Sequence, residues 1–202
     1  MGVTLAAAGS LKWYHDTFGP QDYDKLNKQA ETSPPGSEGL IFLPYLSGER
    51  TPYTDPYVRG VFFGMSYIHG KGHFVRSVME GVAFSQFDCL SLMAELGITS
   101  NKVILFGGGS KSNLWRHIVS DIFNTNIATL NVEEGPSYGG AILAGVGAGL
   151  YPTVEEAASR IIKEVSSTTP EPENVSKYNK VYKVYNSLYK SLKGDFKELS
   201  VL

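Results

Sequence analysis

The sequence predicts an α/β fold of stacked layers, and three observations predict it. Lys102–Phe123, KVILFGGGSKSNLWRHIVSDIF, reads as strand, glycine turn and helix. Short apolar runs of strand length alternate with longer stretches of helical period, in the order β, β, long α, β, α, β, α, α. Gly72–Leu96 is the longest helical pattern and carries apolar residues on most of its circumference, as a helix buried on several sides should. With 202 residues, 42% of them hydrophobic and 19% charged, the chain has ample material for a core and is one domain, or one large domain with an appendage.

Several function classes fall away on composition. The net charge is −2 and no Lys/Arg cluster is large enough to argue for nucleic acid. The longest uninterrupted apolar run is far short of a membrane span. The opening MGVTLAAAGSLKWYHD lacks a basic leader region and turns amphipathic too early for a signal peptide. Cys89 is the single cysteine, which excludes an intrachain disulfide and a cysteine-based metal site. A cytoplasmic location is the default expectation.

Taken in order, Leu5 to Phe18 reads as a helix with a mixed face, ended by Gly19-Pro20. Residues 20–39 carry Pro34, Pro35, Gly36 and Gly39 and read as a short acidic helix and a loop. Leu40–Leu43 is the first apolar run. Residues 44–60, PYLSGERTPYTDPYVRG, are too rich in proline for a helix and too apolar for a floppy linker, so an ordered surface loop is expected. Val61–Tyr67 reads as a second, buried strand. Within the long helix, Gly81 costs about 1 kcal/mol against Ala, so close packing of another element is expected there. Val103–Phe106 is the strand of the central unit. Gly107, Gly108 and Gly109 then allow positive φ and close approach, and Ser110 or Ser112 caps the following helix. Asn126–Val132 is a further strand and Gly135–Leu150 a glycine-rich helix. A short helix over Val154–Val165, a Ser/Thr/Pro hinge at 166–172, and a last helix with Tyr178, Val181, Tyr182, Tyr185, Leu188, Tyr189 and Leu192 at spacings of three and four complete the chain.

A helix N-terminus beside bare backbone suits a nucleotide, since it offers free N–H groups and room for a flat ring or a phosphate. A tight strand-to-helix connection that binds nothing is an equal reading of that stretch alone. Other patterns are weaker. Gly64 to Lys71 fails as a phosphate loop, because its spacing is one residue too long and Gly72 stands where a hydroxyl must hold the metal. Gly145, Gly147 and Gly149 lie inside a helical stretch and suggest close helix packing. His69 and His73 have i, i+4 spacing but no obvious third metal ligand. Gly135-Pro136-Ser137-Tyr138-Gly139 matches a nucleophile elbow, yet all four histidines precede Ser137, the wrong order for a hydrolase of that class.

More selective is PYLSGERTPYTDPYVRGVFFGM, followed by HFVRSVMEGVAF. These segments resemble the carboxy-terminal half of carbohydrate kinases of the FGGY family. Gly60-x-Phe62-x-Gly64-Met65, then His73-Phe74-x-x-Ser77-Val78-Met79-Glu80, fits that family's signature, and PYLSGERTP is most similar to xylulokinases, with gluconate kinases close behind. GGGSKSNLWRHIVSD resembles the family's adenine-binding turn and helix, EGPSYGGAILAGVGAGLY the segment after it, and MGVTLAAAGSLKWY the helix on the phosphate side.

The resemblance implies an RNase H-like domain of the actin/hexokinase/Hsp70 type, the second of two lobes around a cleft, spanning 1–202 with a C-terminal helix over 173–202. It implies transfer of the γ-phosphoryl of MgATP to a sugar hydroxyl, with D-xylulose or a similar sugar as substrate. Gly107, Gly108 and Gly109 would give adenine a close wall, Ser112 and Asn113 would hydrogen-bond the base, and Ala8 and Lys12 would lie on the phosphate or ribose side. The family's Asp-Gly-Thr/Ser phosphate motif, its Gly-Thr-Ser turn and the Asp that deprotonates the sugar are not found in the chain. Met1 is therefore read as an internal methionine of a longer protein, and the chain by itself is expected to be inactive, with most of the Mg²⁺ site elsewhere. The implied partners are the sugar and the chain's own N-terminal kinase domain; a homodimer fits the reading, and nucleic acid and membrane do not. A non-catalytic nucleotide-binding or interaction module of the same fold is the alternative, and a serine hydrolase at Ser137 a lesser one.

Overall fold

A computed structural model describes residues 1–132 and 135–200. Its centre is a 25-residue helix, α3, Lys71–Glu95. Around it lie α1 (Gly9–Phe18), α2 (Tyr23–Glu31), the short strand β1 (Ile41–Leu43) and α5 (Asn113–Phe123), all in contact with it. The continuous run Val75–Ser85 of α3 is buried, which is the packing that an apolar circumference dictates. β1 pairs antiparallel with β2 (Val61–Phe63), Phe42 facing Phe62 in register. A second sheet joins β3 (Lys102–Ile104) parallel to β4 (Asn126–Leu130), and β4 antiparallel to β5 (Glu164–Thr168). The parallel pair is connected through α4 (Gly108–Lys111) and α5, and the antiparallel pair through α6 (Gly135–Gly147) and α7 (Val154–Ile161). The last helix, α8 (Pro172–Leu199), lies against α5 and β1.

Gly81 is where α3 and β1 touch. A Cβ there would stand 2.2 Å from the Phe42 carbonyl oxygen, so only glycine permits this approach.

Buried polar networks tie α3 to the rest of the chain. Glu80 accepts from the Arg76 guanidinium (2.8 Å), the Gly36 N–H (2.9 Å), the Ser37 hydroxyl (2.9 Å) and the Tyr178 hydroxyl (2.8 Å). Arg76 also donates to the Ser33 carbonyl and to Tyr178. A buried ion pair is tolerable only when its remaining hydrogen-bonding positions are filled in this way. Along α8, Tyr182 donates to Asp88, Tyr185 meets Tyr45 hydroxyl to hydroxyl, and Tyr189 donates to Asp55. The tyrosine stripe read from the sequence thus faces a set of polar partners as well as a core.

Four expectations are corrected. The first helix begins at Gly9, not Leu5; ahead of it the Leu5 N–H donates to Glu49 Oε1 at 3.0 Å, which ties this segment to 44–60. The second strand stops at Phe63, because Gly64 turns the chain at φ +84°, and its residues are half-buried or exposed instead of buried. The segment 44–60 is an ordered loop, but it enters the core more deeply than expected. Tyr45, Glu49, Asp55 and Val58 are buried, and the segment is held by Ser85 of α3 and by Tyr185 and Tyr189 of α8. The hinge at 166–172 is in part a strand: β5 covers Glu164–Thr168, and α7 ends at Ile161 to make room for it. The C-terminal helix spans Pro172–Leu199, with Val201 and Leu202 outside the described residues.

Candidate functional site

β3 delivers the chain to the glycine turn. The Leu105 N–H still bonds the Ala128 carbonyl (2.9 Å), so the strand edge holds the turn in place. Gly107 then takes φ +79°, the left-handed value that a side chain resists. Gly108–Lys111 make a single helical turn, Ser112 is extended, and α5 starts at Asn113. Ser112, not Ser110, is the cap: its hydroxyl accepts from the Trp115 N–H at 3.2 Å. Ser110 instead bonds back to the Gly107 carbonyl. Arg116 straps the turn by donating to the Ser110 carbonyl (2.7 Å) and to Asn113 Oδ1 (3.0 Å). The three glycines therefore have three different uses. Gly107 supplies the conformation. Gly109 lets Trp115 close in, since a Cβ there would meet the indole at 3.3 Å. Gly108 faces open space, with nothing among the described residues within 4 Å of its would-be Cβ.

That open space is a cavity of about 420 Å³. The glycine turn gives it Gly108, Gly109, Lys111 and Ser112, with Trp115 beneath them. Ala8 and Leu11 come from the start of α1, and Tyr23, Asp24 and Asn27 from α2. A smaller space of about 120 Å³ adjoins it, sharing Gly108, Gly109, Ala8 and Trp115 and adding Gly107 and Phe106. The walls are a large indole, a phenol and small aliphatic groups, with polar atoms at few points. This composition fits a flat, partly apolar ring.

Of the residues that the sequence singled out, Ala8, Gly107, Gly108, Gly109 and Ser112 are brought together round these spaces. Lys12 and Asn113 line neither. Lys12 is exposed and paired to Asp16 at 2.5 Å, an i, i+4 contact along α1. That hydrogen bond holds the Lys12 ammonium above its usual range. Asn113 is exposed, with its oxygen occupied by Arg116. Sequence reasoning missed the whole contribution of α2, having read it only as a short acidic helix. The available signal was the i, i+4 pair Tyr23 and Asn27, which puts a ring and an amide on one face.

The other motifs have structural uses. His69 Nδ1 accepts from the Ser66 N–H (2.9 Å) and His73 Nδ1 from the Gly70 N–H (3.1 Å), the latter closing the first turn of α3. Those nitrogens are committed to backbone, and among the described residues no group of three His, Cys, Asp or Glu stands together as a metal site. Ser137 is exposed in the first turn of α6, and no hydrogen bond among the described residues joins it to a histidine. The segment EGPSYGGAILAGVGAGLY opens at Glu134, which lies outside the described residues. In α6, Gly145 is buried against the Tyr151 ring rather than against another helix. Among the described residues no helix is long and apolar enough to cross a membrane.

Comparison with known proteins gives one consistent answer. Residues 1–148 match the FGGY family of carbohydrate kinases, C-terminal domain. The chain is 40% identical over 190 residues to a xylulose kinase of Bacillus subtilis, covering 94% of this chain and 38% of that protein. It is 42% identical over 194 residues to a xylulose kinase of Staphylococcus epidermidis, covering 96% and 39%. A gluconokinase of Bacillus subtilis is 31% identical over 206 residues. Among solved structures, a ligand-bound xylulose kinase from Lactobacillus acidophilus superposes with a TM-score of 0.89 at 27% identity, over 97% of this chain and 40% of that one. A Brucella ovis kinase does so at 0.85 and 33%, over 96% and 40%. The chain thus spans about two-fifths of the length of these relatives.

Proposed function

The chain belongs to the FGGY family of carbohydrate kinases, matching its C-terminal domain, and from that membership we propose that it is the nucleotide-binding half of an ATP-dependent kinase acting on D-xylulose or a similar sugar. The proposal treats residues 1–202 as one C-terminal domain of RNase H-like type. The observation that carries it is the cavity between the glycine turn and α1–α2, floored by Trp115. In this reading the adenine lies against Gly108 and Gly109, and the phosphates run toward the start of α1. The high likeness to xylulose kinases supports D-xylulose over gluconate.

ATP supplies the transferable phosphoryl group, and the residues here bind and orient its base. In-line transfer also needs a base for the sugar hydroxyl and a divalent cation on the phosphates. Following the family resemblance, we assign the base and most of the cation site to the N-terminal lobe. The chain alone is accordingly read as inactive, because without both lobes sugar and γ-phosphate are not held in line.

Titration with MgATP by calorimetry tests the site. Wild type should bind, and Gly108→Val should lose at least tenfold in affinity while melting within a few degrees of wild type, since its new methyls enter the open cavity. Equal affinity in the two proteins would remove the adenine assignment. A coupled ADP-release assay with D-xylulose, D-gluconate and glycerol tests the chemistry. Turnover is expected only when the chain is mixed with its N-terminal half; sugar-dependent ADP release by the chain alone would show that the catalytic base lies within these residues.

A further inference from the structure

The geometry points to Asn27 as the residue that reads the base. This rests on the nucleotide reading of the cavity and assigns its specificity to α2. Asn27 is half-buried in the cavity wall, and its oxygen Oδ1 accepts from the Ser112 hydroxyl at 3.0 Å. That hydroxyl is itself fixed, because its oxygen caps α5 by accepting from the Trp115 N–H. In the structure its one proton goes to Asn27 Oδ1, which leaves the amide NH₂ over. Among the described residues Nδ2 has no protein partner. A donor held in place by a helix cap, at the wall of a cavity sized for a ring, is a preorganised recognition group.

One turn earlier on the same helix, Asp24 also lines the cavity and presents only acceptor oxygens. The Tyr23 ring stands beside it, stacked on His15 with ring centroids 5.2 Å apart. α2 thus shows the ligand a donor and an acceptor. Adenine offers the complement along one edge, an exocyclic NH₂ next to a ring-nitrogen acceptor. Along the N7 edge guanine presents two acceptors, N7 and O6, where adenine presents an acceptor and an amine, and a carboxylate facing O6 repels. The structure therefore assigns a preference for adenine over guanine to Asn27, with Asp24 as the group that rejects the wrong base. It also gives Ser112 a role different from the one its position suggested, since its hydroxyl positions Asn27 and is not left for the base.

The test is Asn27→Asp. The aspartate keeps an oxygen for the Ser112 hydroxyl but has no N–H to give, so it separates reading the base from bracing the turn. The 202-residue chain and this variant are titrated with MgATP and with MgGTP, and thermal melts are recorded alongside. Expected are a melting temperature near that of wild type, at least a tenfold loss in ATP affinity, and an ATP-to-GTP preference that falls by a similar factor. Asp24→Asn, which replaces an acceptor by a group that both donates and accepts, should relax the same preference by improving GTP. A wild-type ATP-to-GTP ratio in Asn27→Asp overturns the inference and leaves the nucleotide site standing. A wild-type chain that binds neither nucleotide overturns both.

Discussion

Gly81→Ala is a single methyl placed where α3 rests on β1. The added carbon would lie 2.2 Å from the Phe42 carbonyl oxygen and 3.1 Å from its carbonyl carbon. Carbon–oxygen contacts settle at about 3.3 Å or beyond, so the helix and strand must part by roughly 1 Å. The obstacle is backbone in a paired strand, with no rotamer to turn aside. Parting them loosens the packing of Phe42 and Leu43 on Val78, Met79 and Val82, all at most 2% exposed. Overpacking of this kind costs about 1–3 kcal/mol, and the immobility of the carbonyl places this case near the top. Against it stands the helical preference for Ala, about 1 kcal/mol. The net loss should be about 2 kcal/mol, which for a chain of this length lowers the melting temperature by roughly 4–8 °C. Gly194→Ala in α8 is the control, because its Cβ would meet nothing within 4 Å; it should gain about 0.5–1 kcal/mol. Both are read by thermal and urea unfolding followed by circular dichroism. A Gly81→Ala protein that melts at or above wild type would refute the close-approach account and leave helix propensity as the whole effect.

Further outcomes follow from the buried polar groups. Tyr178→Phe removes the hydroxyl shared by Arg76 and Glu80 and should cost about 1–3 kcal/mol in urea unfolding, as one donor of a buried guanidinium loses its partner; a change under about 0.5 kcal/mol would show the network to be unimportant. Asp88 is buried, with Tyr182 on Oδ1 and, among the described residues, no partner on Oδ2. Burial pushes its carboxyl up to about 6, with the Tyr182 hydrogen bond opposing and the nearby Glu49 adding. The folded chain therefore holds this proton over a window from about 4 to about 6 in which the unfolded chain has lost it, and stability on its account falls as pH rises through that window. The stability of Asp88→Asn relative to wild type should improve from pH 4 to pH 6 and stay level above; a gap independent of pH would remove the assignment. Ser137→Ala should leave p-nitrophenyl ester hydrolysis at background, and turnover abolished by that change would restore a hydrolase.

The fold was legible wherever burial and periodicity spoke together. α3 showed in its apolar circumference, and Gly81 showed as a contact because nothing in helix propensity favours it there. β5 was hidden because it is an edge strand. Paired among the described residues to β4 alone and mostly exposed, it carries Val165 and Thr168, which suit a strand, around Ser166 and Ser167, which look like a linker. The depth of the segment 44–60 was hidden because its stabilising contacts come from Ser85, Tyr185 and Tyr189, far along the chain. At the site, the glycine turn was visible since its constraint is local. Asn27 was not: it matters only because Ser112, 85 residues away, donates to its amide oxygen. Asn113, adjacent in sequence to that serine, is committed to Arg116.

The tyrosines of α8 also bear on the order of synthesis. The helix that satisfies Arg76, Glu80, Asp88 and Asp55 is the last part of the described chain to leave the ribosome. Until residues beyond Pro172 emerge, these groups sit in a half-built interior without the phenols that complete their hydrogen bonds. Closing before α8 docks would leave Glu80 with Arg76, Gly36 and Ser37 but without Tyr178, and Asp88 and Asp55 without the Tyr182 and Tyr189 hydroxyls. A nascent chain stalled before α8 emerges would therefore hold a looser interior, more open to chaperones and proteases.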